Sequence, residues 1–152
     1  MTFPPNIHMA RALELARAAS ALGEVPVGAV IIGPDGRVLA EAHNLTRTSA
    51  DPTAHAELLA IRAAARAIGS ERLTGCTLWV TLEPCPMCAG AISHARLARL
   101  VYAADDPKGG GVENGPRVFA HPTCHHRPEI ISGVCETEAA HVLRAFFRDR
   151  RG

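Results

Sequence analysis

Two hydrophobic periods take turns along this chain, and the places where one gives way to the other mark out its elements. Residues 6–22 set Arg11, Glu14 and Arg17 as a polar stripe at helical spacing among alanines and leucines, with Asn6 placed to cap the helix. Pro26 introduces the apolar run Val27-Gly28-Ala29-Val30-Ile31-Ile32, which Gly33-Pro34-Asp35-Gly36 ends. A second run over 37–42 follows at once, so the pair predicts a β-hairpin. Asp51 or Thr53 is placed to cap a helix over 52–68, with Pro52 suited to its first turn and Gly69 to its close. The stretch 77–82 is rich in β-branched and aromatic residues and predicts a buried strand with Trp79 in the core. A helix starts at Pro86, and 97–103 reads as a further strand.

Residues 105–126 are the least regular part, with Gly109-Gly110-Gly111 and three prolines. A short last strand is expected over 128–134. Residues 136–150 form an amphipathic helix with Ala139, Val142, Leu143, Phe146 and Phe147 on its apolar side. Helices and strands alternate after the initial hairpin, which implies an α/β chain: a mixed sheet with helices on both faces.

Composition narrows the class without naming a function. At 152 residues the chain suits one domain, 1–152, able to bury its own core. With 47% hydrophobic and 20% charged residues it reads as an ordinary globular protein, and no apolar stretch approaches the length of a membrane helix. The net charge of +1 neither favours nor disfavours nucleic acid. The first eight residues hold two prolines and no basic-then-apolar pattern, so no signal peptide is expected. Five cysteines, an odd number with a single Cys-x-x-Cys, point to a reducing cytoplasm rather than a disulfide framework.

The chemistry sits in His55-Ala56-Glu57 and Pro84-Cys85-Pro86-Met87-Cys88. One imidazole and two thiols leave a tetrahedral zinc one ligand short, and the open position is where a catalytic zinc holds water. Cys85 and Cys88 lie where a strand gives way to a helix, whose N-terminal N–H groups favour thiolate. Glu57 is the candidate proton shuttle. It shares a pocket with His55 only if both lie in a first helical turn, where the cap at Asp51 or Thr53 would put them. A closed structural zinc site or a redox pair are the competing readings of Cys-x-x-Cys. For the closed site, Cys76, Cys124, His125 or His126 could supply the fourth ligand. Cys76 and Cys135 otherwise read as buried inert thiols, and His8, His94 and His141 as helix residues without a recognisable partner.

His-x-Glu followed by Pro-Cys-x-x-Cys is the zinc nucleobase-deaminase pattern, and the likeness extends well beyond it. Residues 23–30 (Gly-Glu-Val-Pro-Val-Gly-Ala-Val), His43-Asn44, 51–57, 81–91 and Asp105-Asp106-Pro107-Lys108-Gly109-Gly110 resemble the bacterial tRNA-specific adenosine deaminases, as does the terminal Phe146-Phe147-Arg148. The resemblance runs over nearly the whole chain. It implies a three-layer α/β/α cytidine-deaminase-like fold with a five-stranded sheet, a homodimer, and one Zn2+ per subunit. It further implies hydrolytic deamination of the wobble adenosine in a tRNA anticodon stem-loop. Carried over by position, His55, Cys85 and Cys88 match the zinc ligands and Glu57 the shuttle. Asn44 matches a residue that hydrogen-bonds the flipped base, with Val27 and Ala56 beside it. Asp106, Lys108, His125 and Arg127 are the further expected substrate contacts, although the family often has Asn-His-Arg where this chain has His125-His126-Arg127.

The residues themselves give RNA partial support. Arg144, Arg148, Arg150 and Arg151 face the single acid Asp149 around Phe146 and Phe147. Arginines beside aromatics suit a single-stranded loop, with phosphates to neutralise and bases to stack. One phenylalanine is expected to pack inward, and Phe147 and Arg150 to near the substrate. A basic last turn also simply complements the helix dipole. The zinc motif alone equally allows a free base, guanine or cytosine, as substrate.

Overall fold

The computed structural model describes residues 6–151; residues 1–5 and 152, and the side chains of Asn6 and Arg151, lie outside it. The cap expected of Asn6 and the reading of the first residues therefore fall outside the described part. The elements run α1 (Asn6–Ala21), β1 (Gly28–Ile32), β2 (Val38–His43), α2 (Ala56–Ile68), β3 (Thr77–Leu82), α3 (Pro86–Ala95), β4 (Arg99–Ala104), β5 (Glu129–Ile131) and α4 (Glu136–Arg151). A single 3-10 turn, Val118–Ala120, interrupts the loop before β5.

The five strands lie in the order β2-β1-β3-β4-β5. β1 is antiparallel to β2 and to β3, whereas β3, β4 and β5 run parallel. A tight hairpin can only give antiparallel neighbours, while the crossover through α3 returns β4 alongside β3 in the same direction. The sheet is therefore mixed, as the alternation of elements predicts.

Both faces of the sheet are covered, which is why the central strands are apolar at nearly every position. Ala29, Ile31, Leu78, Val80, Leu100 and Tyr102 pack with Ala56, Ala60 and Ala64 of α2 and with Ala89 and Ile92 of α3. The alternate positions Val30, Ile32, Val101 and Ala103 pack with Met9, Ala12 and Leu13 of α1 and Ala139 of α4. The small side chains on α2 let its axis approach the sheet closely. Truncating a fully buried Leu100 or Leu78 to alanine is expected to destabilise by about 2–5 kcal/mol.

Three expectations need correction. α2 begins at Ala56, four residues later than predicted, because Asp51 spends its side chain on a local turn. Its Oδ1 accepts the Thr53 N–H at 2.9 Å and hydroxyl at 2.7 Å. Trp79 is half-buried rather than core, its ring 5.4 Å from that of His8, which thus does have a partner. The last strand shrinks to three exposed residues. On α4, Phe146 is buried and Phe147 is 47% exposed, so one ring packs inward as expected.

Candidate metal centre

The N-termini of α2 and α3 deliver the site. His55 is the N-cap of α2 and Cys85 the N-cap of α3, both in extended backbone conformation and neither using its side chain as a cap. Both side chains are thus free to turn toward each other. His55 Nδ1 lies 3.6 Å from the sulfur of Cys85 and 3.6 Å from that of Cys88. A tetrahedral zinc with Zn–S near 2.3 Å and Zn–N near 2.05 Å holds sulfur and nitrogen about 3.6 Å apart. The spacing fits.

Among the described residues this is the only group of three such ligands close enough to share an ion. Of the four candidates for a fourth ligand, His125 is exposed and outside this group, and the other three are engaged elsewhere. Cys76 donates to the Thr74 carbonyl, Cys124 to that of His126, and the His126 ring meets the Leu97 carbonyl at 2.6 Å. A site with three protein ligands remains open.

The two thiols share a proton. A hydrogen bond from Cys88 is the main reason the Cys85 thiol falls to about 5; the Cys88 and Met87 N–H groups and His55 help, against the opposing effect of burial. The same shared proton, together with burial, drives Cys88 far upward. Unaided, the pair carries one negative charge; a divalent cation between the sulfurs allows both to be thiolates. Glu57 lies in the first turn of α2, 4% exposed, and burial pushes its carboxyl up to about 7. His55 as N-cap and Glu57 lie in the turn that the Leu59 N–H closes on the His55 carbonyl at 3.0 Å. The backbone passes from extended at His55 to helical at Ala56, and this break lets residues two apart serve one place.

Asn44, just after β2, is stitched to the start of α2. Its Oδ1 accepts the Ala56 N–H at 2.8 Å, and its own N–H donates to the Val27 carbonyl at 3.2 Å. All three residues are buried. Asp106 Oδ1 accepts the N–H groups of Lys108 and Gly109, leaving the Lys108 side chain exposed. His125 is exposed, whereas the Arg127 guanidinium donates to the carbonyls of Phe119 and His121. On α4 the Arg150 guanidinium lies 4.8 Å over the Phe146 ring, and Phe147 meets that ring edge-on at 5.3 Å.

Two buried acids carry structure that the sequence reading assigned to neither. Glu83, 2% exposed, accepts from the N–H groups of Asp106, Val112, Glu113 and Asn114 and from the Asn114 side chain. It fastens the 106–114 loop to the turn that carries Cys85. The glycine run belongs to this fastening: a side chain at Gly110 would lie 2.5 Å from the Glu83 carboxyl carbon. Glu24, fully buried, does the same for the loop between β2 and α2. The available signal was an acid set among apolar neighbours with no basic residue nearby.

Residues 5–151 match the family model described as MafB19-like deaminase. The chain is 57% identical over 143 residues to the tRNA-specific adenosine deaminase of Agrobacterium fabrum, covering 94% of this chain and 93% of that protein. A solved structure from studies of A-to-I editing by tRNA:A34 deaminases at the wobble position of transfer RNA superposes with a TM-score of 0.89 at 55% identity. The match covers 91% of this chain and 99% of that one. The guanine deaminase of Bacillus subtilis superposes with a TM-score of 0.66 at 33% identity, covering 99% and 96%.

Proposed function

The chain belongs to the tRNA-specific adenosine deaminases within the MafB19-like deaminase family, and from this membership we propose that it deaminates the wobble adenosine of a tRNA anticodon loop to inosine by hydrolysis. The observation that carries the reading is the convergence of His55, Cys85 and Cys88 on one point beside the buried Glu57. His55, Cys85 and Cys88 would hold one zinc ion per subunit. Zinc with three protein ligands supplies the Lewis acidity that brings the pKa of water near neutrality.

Glu57 is the proton carrier. Its carboxylate takes a proton from the attacking water and passes it to the purine ring nitrogen, then takes the second proton from the hydroxyl now on the carbon and delivers it to the departing amine, which leaves as ammonia as the carbonyl forms. A carboxyl raised by burial binds and releases protons near neutral pH, which suits both directions of transfer. Asn44 serves the base: with Oδ1 committed to Ala56, its amide nitrogen is the group left to donate. Val27 and Ala56 line that contact. Asp106, Lys108, His125, Arg127, Phe147 and Arg150 are the outer RNA contacts, with Asp106 and Arg127 acting through the loops that they tie down.

The enzyme works as a homodimer in the cytoplasm, a setting that fits an odd number of cysteines with a single Cys-x-x-Cys; among the described residues no helix is long and apolar enough to cross a membrane. Light scattering on the purified protein reads the dimer. Incubating the zinc-loaded enzyme with a synthetic anticodon stem-loop, free guanine and free cytosine reads the substrate. Inosine in the stem-loop alone is the expected result. Turnover of a free base with the stem-loop untouched would overturn it.

A further inference from the structure

The loop that joins β2 to α2 is folded around an acid without a cation. Glu24 Oε1 accepts the Arg47 N–H at 3.1 Å and the Thr46 hydroxyl at 3.4 Å. Its Oε2 accepts both the N–H and the hydroxyl of Thr48 at 2.6 Å. With four donors on one buried carboxylate, the backbone of residues 46–48 has little freedom, and the exposed Arg47 side chain leaves from a fixed base.

Arg47 does not stand alone. With Leu22, Gly23, Thr48 and Arg150 it lines a cleft of about 450 Å³. Arg150 reaches this cleft from α4 by lying over Phe146, and it presses so closely on Gly23 that a side chain there would lie 2.7 Å from its terminal nitrogen. Arg11, Arg37, Arg99 and Arg148 each face a carboxylate. Arg47 and Arg150 face none among the described residues. Two arginines without a carboxylate partner beside one shallow, open pocket raise the local positive potential and favour an anion between them. Arg47 is three residues from Asn44, at most about 11 Å along the chain, so an anion held here adjoins the nucleotide that Asn44 meets.

We infer that this cleft binds a phosphate of the RNA strand beside the reacting adenosine, and that Glu24 is the positioning residue that sets Arg47 for it. The inference rests on the tRNA reading above. Guanidinium is suited to phosphate because its fork of donors matches two oxygens at once. Glutamine at position 24 would turn an NH2 group toward donors that need an acceptor, so Glu24→Gln releases the loop without removing bulk.

The test uses zinc-loaded enzyme and a labelled anticodon stem-loop, with Kd read by anisotropy between about 50 and 200 mM salt and inosine formation read in parallel. Arg47→Ala is expected to weaken Kd and raise KM about five- to tenfold, and to reduce the slope of log Kd against log salt by about 0.7 to 1. The kcat should move less than about threefold, since the phosphate is remote from the bond that breaks. Arg47→Lys should recover part of the loss, because it keeps the charge but not the fork. Glu24→Gln should weaken Kd as well, and Glu24→Gln with Arg47→Ala should be no weaker than the worse single variant. An Arg47→Ala enzyme with unchanged Kd and salt slope, or two losses that multiply, would overturn the inference. Wild-type enzyme that forms no inosine would instead overturn the tRNA reading, and the cleft would then stand or fall on Kd alone.

Discussion

Asn44 caps a helix to which it does not belong: its Oδ1 takes the first N–H of α2, at Ala56, from the far side of an eleven-residue loop. The cap fixes which end of the amide is which. An oxygen must face the N–H, so the nitrogen is the end offered to a ligand. One side chain therefore holds the helix start beside His55 and leaves its amide donor for the base proposed to bind there.

These two jobs separate under mutation. Asn44→Asp keeps the accepting oxygen and removes the donor, so activity on the stem-loop should fall by at least about tenfold with the melting temperature little changed. Asn44→Ala removes both and should lose about 1 kcal/mol of stability as well. Thermal melts beside inosine assays check the split. An Asn44→Asp enzyme of full activity would remove Asn44 from substrate binding.

Glu57→Gln tests chemistry against ligation. The variant should retain one zinc per chain by elemental analysis yet lose about 10² to 10⁴ in kcat, because the amide cannot carry protons. Loss of zinc would show that the carboxylate ligates.

Chelation should abolish activity and lower the melting temperature, and added zinc should restore both. Cys85, the lower of the two thiols, should then react first with a thiol reagent. His55→Ala should behave as the chelated enzyme does, with no rescue by zinc.

The acid limb of stability carries the mark of Glu24. Burial would raise this carboxyl, but the Thr48 hydroxyl and N–H, the Arg47 N–H and the Thr46 hydroxyl more than offset it and hold it below its ordinary 4.5. A group depressed in the folded state stabilises above its unfolded value, and that stability is lost as pH falls through the folded value. Melting temperature should therefore drop more steeply from pH about 5 to about 3 in the wild type than in Glu24→Gln.

How much of this was legible beforehand divides along a physical line. The His/Cys/Cys group that could hold a metal was readable because a metal constrains residue type and spacing at once: Cys85 and Cys88 share one turn, with His55 upstream. The sheet and its helices were readable because apolar period follows burial. The start of α2 was not, since Asp51 and Thr53 have the composition of a helix cap and spend it on each other. Trp79 looked like core because strand periodicity cannot say whether a helix covers a given position. The roles of Glu24 and Glu83 were not legible, because most of their donors are backbone N–H groups from distant loops, which leave no trace in residue identity.

Placing His55 and Cys85 at N-cap positions has a consequence for the life of the chain in the cell. Neither side chain caps its own helix, so an ion held by His55, Cys85 and Cys88 would also tie the first turns of α2 and α3 to each other. Metal supply and the hold between those two turns would then be read by the same atoms. In a cell starved of zinc the chain would lack that tie, so loss of catalysis and loss of stability would come together.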